Sequence, residues 1–154
     1  MSDFRHINKL CVTSIIISIL AMLDTAYLAF LHFIPSGSSF CDLAPNISCS
    51  IVNKSIYSEI FGIPVSMLGF LTFLIILILN VIIMKNKKIS FINRKSSALI
   101  ISLMMGFSVL FGSWLIYVQD VLLLTWCILC LFLDALIFAT FIISIIQYKR
   151  VNRR

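Results

Sequence analysis

Four of the five cysteines in this 154-residue chain form two pairs whose spacing permits disulfide chemistry. Cys41 and Cys49 are separated by seven residues, and Cys127 and Cys130 form a Cys-x-x-Cys motif. Residues three apart on a helix share one face, so the sulfurs of the second pair can meet. A helix N-terminus lowers the pKa of a nearby thiol and raises the thiolate fraction available for attack. Two pairs close together would therefore permit thiol–disulfide exchange between them.

Less reactive explanations exist for each of these cysteines. A lone Cys-x-x-Cys in an apolar helix is often a packing feature, a disulfide in a loop is often structural, and four cysteines can bind zinc. Cys41 and Cys49 are widely spaced, and no polar residue is evident that would support a metal ligand. We therefore expect neither zinc nor another metal to be bound. Cys11 stands alone and is expected to be a small, reduced packing residue.

The composition places much of the chain in lipid. Hydrophobic residues make up 61% of the sequence and charged residues 12%. Soluble domains are usually about 45–50% apolar, so a fully water-facing surface is excluded. The length predicts one domain over residues 1–154. The net charge of +6 lies in short clusters between apolar runs rather than on a basic face with interleaved aromatics, which excludes nucleic acid as a partner.

Four apolar runs are each long enough to cross a bilayer, which takes about 20 residues. We predict helices at about Leu10–Phe33, Ile63–Met84, Ala98–Val118 and Val121–Ile146. The first run exceeds the apolar part of a secretory signal, about 7–15 residues, and no small-x-small cleavage site clearly follows it. It is therefore interpreted as a retained helix. The expected fold class is an all-α integral membrane protein, a bundle of four transmembrane helices surrounded by lipid.

Lysine and arginine positions predict how these helices are oriented. Cations cluster at residues 5–9, 85–95 and 149–154, whereas Lys54 is the one cation elsewhere in the sequence. Positive loops remain in the cytoplasm, so both termini are predicted to be cytoplasmic and the loops at about 34–62 and 118–121 extracytoplasmic. Both cysteine pairs then lie on the side of the membrane where disulfides persist.

The longer of these loops is predicted to contain a short helix. Its first part includes the turn formers Pro35, Gly37 and Pro45. Its later part, about Ser50–Ile60, has apolar spacing that suits a short amphipathic helix on the membrane surface. An irregular loop is the alternative for this part.

Several segments of the sequence together resemble the vitamin K epoxide reductase family. They are the stretch CDLAPNISCS at residues 41–50, Ser55 six residues after the second cysteine, FGIPV at 61–65, WCILC at 126–130 and AYLAFLH at 26–32. The resemblance covers about residues 20–140. The FGIPV and AYLAFLH segments are similar to those of the family's bacterial and archaeal branch. The joint pattern is specific, whereas each part alone is weak.

The resemblance implies a four-helix bundle around a quinone, either ubiquinone or menaquinone, in the cytoplasmic membrane of a prokaryote. Cys127 and Cys130 would be the catalytic pair, with Cys130 nearest the quinone, and Cys41 and Cys49 would be the shuttle pair. Cys41 would meet a thioredoxin-like protein, which must act in trans because no such domain is fused here, and Cys49 would exchange with Cys127. Ser55 would donate a hydrogen bond to a quinone carbonyl. The implied activity is that of a quinone-dependent thiol–disulfide oxidoreductase supporting disulfide formation in extracytoplasmic proteins.

Two positions depart from the pattern of the animal members. Ser58 stands where those members have asparagine, and Asp134 stands where they have tyrosine. Both departures argue against epoxide reduction but not against electron transfer to a quinone. Ser58 and Asp134, with Trp126 beside the Cys-x-x-Cys motif, complete the predicted quinone-binding residues. Asp134 lies one turn beyond Cys130, where it could deliver protons or, as a neutral acid, bridge helices.

Two other protein classes remain open at this point. A non-enzymatic four-span membrane protein could carry both pairs as structural disulfides. A neighbouring class of four-helix, quinone-linked thiol oxidases performs similar chemistry with one cysteine pair in each outer loop. That class fits less well, because Cys127 and Cys130 are predicted to belong to the fourth helix.

Overall fold

The computed structural model describes residues 2–34, 40–44, 46–85 and 94–152. Within these ranges the helices are α1 (Ser2–Phe33), α2 (Cys49–Asn53), α3 (Val65–Lys85), α4 (Arg94–Tyr117) and α5 (Ile128–Asn152). A 3₁₀ turn, Ile56–Ser58, leads into an antiparallel hairpin of β1 (Glu59–Ile60) and β2 (Ile63–Pro64), and a π-helical turn, Val118–Leu122, continues α4. The predicted turn formers Pro35, Gly37 and Pro45, and the cationic positions within 86–93 and 153–154, lie outside the described residues.

Four of these helices are long and apolar enough to span a membrane. They comprise His6–Phe33, Val65–Lys85, Lys95–Leu122 and Ile128–Asn152. Large apolar side chains point outward from them, among them Leu23, Phe107, Leu110 and Phe138. Such a surface suits lipid rather than water. The prediction of an all-α, four-span integral membrane protein is confirmed.

Small residues on α1 let the helices of the bundle pack closely. The inward face of α1 carries a run of buried small side chains, which are Cys11, Ser14, Ser18, Ala21 and Thr25. This face packs against α3 and α5. Small residues permit close backbone approach, which drives helix association in lipid. The fit is tight at Gly69 of α3, where an added Cβ would lie 3.1 Å from Thr25 Cγ2.

The predicted start of the fourth helix and the predicted loop at 118–121 are both wrong. The third span continues through the π-helical turn to Leu122, and α5 begins only at Ile128. The Leu123 N–H donates to the Val118 carbonyl at 2.9 Å, and Leu124 has a positive φ of 48° that ends the helix. Because residues 121–126 are mostly apolar, hydropathy gives no sign of this break.

The predicted surface helix over Ser50–Ile60 is correct only in its first part. The α-helical portion ends at Asn53, where the Ser55 N–H donates to the Val52 carbonyl at 3.2 Å. The remainder turns into the hairpin, whose two-residue turn has φ of 52° at Phe61 and 77° at Gly62. A hairpin turn with positive φ at both positions matches the twist of its strands and favours glycine.

Candidate functional site

Both predicted cysteine pairs form disulfides in the structure. Cys41 is bonded to Cys49 with Cα atoms 5.7 Å apart, and Cys127 to Cys130 with Cα atoms 5.2 Å apart. The two disulfides share one buried cluster, in which Leu28 and Val52 pack among them. Within the described residues, no group of three or more histidine, cysteine or acidic side chains is arranged to hold a metal ion.

An isolated backbone bridge holds the two disulfides next to each other. Ile47 pairs with Trp126 in parallel register. The Ser48 N–H donates to the Trp126 carbonyl at 3.0 Å, and the Trp126 N–H donates to the Asn46 carbonyl at 2.9 Å. Ser48 and Trp126 directly precede Cys49 and Cys127. The bridge therefore places the second cysteine of the loop beside the first cysteine of the fourth span.

Cys127 occupies the N-terminal end of α5. Its Sγ accepts the Cys130 N–H at 3.1 Å, in the manner of a capping side chain. Its own N–H donates to Gln119 Oε1 at 2.8 Å. A helix of 25 residues presents unsatisfied N–H groups and a positive dipole end there, which stabilise a thiolate. The geometry therefore favours Cys127 as a thiolate when the disulfide opens.

A carboxylate clamps the loop that carries Cys41 and Cys49. Asp42 Oδ1 accepts the Ser48 hydroxyl at 2.7 Å and the Ser50 N–H at 3.1 Å. Asp42 Oδ2 accepts the Ser50 hydroxyl at 2.5 Å. Asp42 follows one cysteine and the two serines flank the other, so the clamp closes the same loop as the disulfide. It can hold this loop when the disulfide is open.

Polar contacts also attach this segment to the end of α1. The Asn53 side-chain amide donates to the Leu28 carbonyl at 2.5 Å, and His32 Nδ1 donates to the Asn53 carbonyl at 2.8 Å. His32 Nε2 lies 3.2 Å from Glu59 Oε1 in β1. Together these contacts attach α2 and the hairpin to the C-terminal part of α1.

A cavity of about 240 Å³ opens beside the second disulfide. Cys130 is the only member of the two disulfides on its wall, and Ser55, Ser58 and Asp134 also line it. The rest of the wall is mainly apolar, including Val65, Gly69, Phe73, Phe107, Phe111 and Leu133. An apolar pocket with a few polar groups is typical of small-molecule sites. Four predicted site residues therefore share one wall.

Trp126 does not belong to that wall. The structure instead places its backbone in the bridge to Asn46 and Ser48. Its predicted contact with a quinone stays a prediction.

Asp134 reaches the cavity through space that a glycine leaves open. A Cβ built on Gly112 of α4 would lie 2.5 Å from Asp134 Oδ1. Any side chain at Gly112 would displace this carboxylate. Its position one turn beyond Cys130, predicted from helical spacing, agrees with both residues lining the same cavity.

Sequence reasoning missed two candidate functional residues, Gln119 and Asp42. Gln119 is 2% exposed, lines the cavity and binds the N–H of Cys127. Its one sequence signal is that it is an amide at the end of an apolar run. Asp42 has a stronger signal, because it is an acidic residue next to a loop cysteine.

Four spans, two adjacent disulfides and a cavity at one of them are features that suit a membrane oxidoreductase. The sequence model of the Vitamin K epoxide reductase family matches residues 12–145. This match covers most of the chain, so the chain belongs to the vitamin K epoxide reductase family, and the resemblance is confirmed. No curated protein matches the sequence.

Proposed function

We propose that this protein passes electrons from a thioredoxin-like partner, through Cys41/Cys49 and then Cys127/Cys130, to a quinone. It thereby supports disulfide formation in extracytoplasmic proteins. The observation that carries the proposal is the backbone bridge at Trp126, which places Cys49 beside Cys127. Cys130, the other half of that second disulfide, lines the cavity.

The relay consists of balanced thiol–disulfide exchanges. A partner thiolate attacks Cys41 and releases the Cys49 thiolate. The second thiolate of the partner then attacks the mixed disulfide, so the partner leaves oxidised and Cys41 and Cys49 are both reduced. Cys49 next attacks Cys127 and releases the Cys130 thiolate. Cys41 attacks Cys49, which restores the first disulfide and leaves Cys127 and Cys130 reduced.

The cavity beside Cys130 fits a quinone as the final acceptor. A bound quinone would accept two electrons and two protons while Cys127 and Cys130 return to a disulfide. The wall is mainly apolar, as a quinone ring and tail require, and it contains a buried Ser66 hydroxyl that has no hydrogen-bond partner within the described residues. Ser55, Ser58 and Asp134 line the same wall and are the proposed contacts, with ubiquinone or menaquinone as the ligand class.

The proposed orientation puts both termini in the cytoplasm and both disulfides outside. The charge clusters at residues 5–9, 85–95 and 149–154 support it. Phe40 and Leu43 flank Cys41 and are 70% and 69% exposed. They offer the partner an apolar surface next to the first disulfide, which itself is almost fully buried.

A trapped intermediate tests the relay. In Cys41→Ser/Cys130→Ser protein, Cys49 and Cys127 are the only cysteines left in the two pairs, and we expect them to form a disulfide that peptide mass spectrometry detects. The matched control is Cys49→Ser/Cys130→Ser, which leaves Cys41 and Cys127 and should yield much less of the cross-link. Equal yields in both variants, or none in the first, would contradict the relay and favour structural disulfides in a non-enzymatic protein.

Electron delivery is tested separately on the purified parent protein. We expect a dithiol to reduce short-chain ubiquinone or menaquinone only when the protein is present. A protein that forms the trapped disulfide but reduces neither quinone would refute the quinone step alone.

A further inference from the structure

Most polar side chains on the cavity wall already donate their hydrogen bonds within the protein. The Ser55 hydroxyl donates to the Val52 carbonyl at 2.8 Å, and the Ser58 hydroxyl lies within 2.7 Å of two backbone carbonyls. Other wall groups donate in the same way, namely Thr72 to Leu68, Ser108 to Met104 and the Asn53 amide to Leu28. Each of these groups, Ser55 and Ser58 included, would have to give up an internal bond before donating to a ligand, whereas the buried Ser66 hydroxyl has no partner within the described residues.

Gln119 differs because only one side of its amide is engaged. Its Oε1 accepts the Cys127 N–H at 2.8 Å. Since a backbone N–H bonds only to an acceptor, this contact fixes which end of the amide is oxygen and which is nitrogen. Within the described residues, no hydrogen bond engages the Nε2 group, although the side chain lines the cavity. A buried amide of this kind has donors to offer.

The backbone around Gln119 holds this side chain in place. Gln119 lies in the π-helical turn Val118–Leu122, and its carbonyl accepts the Thr125 N–H at 3.1 Å. π-helical turns occur mostly as single turns and frequently at functional sites. Here the turn brings Gln119 to the N-terminus of the next span, eight residues further along the chain.

We propose that Gln119 is a quinone-contacting residue, whose NH₂ donates to a quinone carbonyl while its oxygen holds the N–H of Cys127. This inference rests on the proposed function and names a contact beyond Ser55, Ser58 and Asp134. A donor at that carbonyl stabilises the negative charge that develops on the oxygen during reduction. One amide would thereby join the acceptor to the cysteine pair that reduces it.

Two substitutions separate the two halves of this role. Gln119→Glu keeps an oxygen for the Cys127 N–H but removes the NH₂ group. Gln119→Met removes both functions at similar size. The control is Gln147→Met, which changes a buried glutamine of α5 that does not line the cavity.

The primary readout is the Kd of short-chain ubiquinone and menaquinone for the oxidised protein, measured by quenching of tryptophan fluorescence. We expect about a tenfold weaker Kd for Gln119→Met, equivalent to about 1.4 kcal/mol, and no change for Gln147→Met. Gln119→Glu should weaken Kd at high pH, where the acid has lost its proton, and approach the parent at low pH, where an acid O–H can donate.

The second readout is the rate at which Cys49 and Cys127 cross-link when Cys41 and Cys130 are serine. Gln119→Glu should leave this rate unchanged, whereas Gln119→Met should alter it by freeing the Cys127 N–H. If both variants bind quinone within twofold of the parent at every pH, the inference is overturned. An altered cross-linking rate in Gln119→Met without a change in Kd would assign Gln119 a structural role only. A parent protein that binds no quinone would instead refute the proposed function.

Discussion

The two ends of the bundle both bury polar groups, but they use them differently. We call one the amide end, which consists of Cys11, Ser14, Asn80 and Gln147, and the other the cysteine end, which consists of the two disulfides and the cavity. At the amide end, the Gln147 amide donates to Asn80 Oδ1 at 3.0 Å, and the Asn80 amide donates to Ser14 Oγ at 3.1 Å. These bonds run between side chains of α5, α3 and α1.

The cysteine end instead satisfies its polar groups mainly through the backbone. Ser55 and Ser58 bond to nearby carbonyls, and the disulfides are held by a backbone bridge. Polar side chains that bond across helices in lipid stabilise helix association. Side chains that bond locally leave the space between helices available to a ligand. Under the proposed function, the amide end therefore contributes stability and the cysteine end contributes the chemistry.

The largest difference is expected when one cysteine at each end is replaced by serine in separate variants. Cys130→Ser should abolish dithiol-driven quinone reduction, because no thiolate would then remain at the cavity. Cys11→Ser, at the amide end, should retain the parental rate per folded molecule. Quinone absorbance reports both rates. Parental activity in the Cys130 variant would contradict the proposal that only the cysteine end takes part in quinone reduction.

A second large effect is expected from the clamp at Asp42. Asp42→Ala removes three hydrogen bonds to a carboxylate, and bonds to charged groups contribute about 1.5–3 kcal/mol each. Water compensates part of this loss, so we expect the Ser50 N–H to exchange with deuterium at least about tenfold faster, or about 1.4 kcal/mol. Asp42→Asn keeps an acceptor oxygen, so its Ser50 N–H should exchange at a rate between those of the parent and Asp42→Ala. Unchanged exchange in both variants would show that the disulfide and the backbone bridge hold the loop without the carboxylate.

A smaller effect is expected from two glycines of α4. Gly112→Ala should displace the Asp134 carboxylate and weaken quinone binding by several-fold, because the new Cβ would lie 2.5 Å from Oδ1. Gly106→Ala is the matched control, since its Cβ would make an ordinary 3.4 Å contact with Phe141. The measurement is quinone Kd. Adding Asp134→Ala should relieve the clash in the Gly112 variant, and equal Kd values for both glycine variants would refute the assignment.

The smallest effect should follow from opening the amide end. Gln147→Leu deprives Asn80 of its donor, and such interhelical bonds contribute about 0.6 kcal/mol on average and about 1.7 at most. We expect a loss of that size in the free energy of unfolding in mixed micelles, with quinone reduction per folded molecule unchanged. A double-mutant cycle with Asn80→Leu isolates the pair. A large fall in activity would place the amide end within the mechanism.

Hydropathy and cysteine spacing are sufficient to predict the spans and the two pairs. The family resemblance, rather than spacing alone, predicts that Cys130, Ser55, Ser58 and Asp134 belong together, and the structure brings these four to one wall. What spacing cannot show is how the chain turns between spans. The apolar run through residues 121–126 conceals the π-helical turn and the break before α5, and the contact between Gln119 and Cys127 depends on both.

Local turns account for the other differences from prediction. The apolar spacing of Ile51, Val52, Ile56 and Ile60 is typical of a continuous helix, but Phe61 and Gly62 adopt positive φ and direct the chain into a hairpin. The clamp at Asp42 joins residues six and eight positions away. Neither arrangement follows a helical or strand period, so neither is visible in a periodic pattern.

The bridge between Ile47 and Trp126 also constrains the order of biogenesis. It joins segments on either side of α3 and α4, and a chain is synthesised from its N-terminus. An emerging chain that has inserted only α1 and α3 already contains Cys41 and Cys49 but has no Cys127 beside them. The first disulfide can therefore form early, whereas the electron path that we propose requires the last span to be in place.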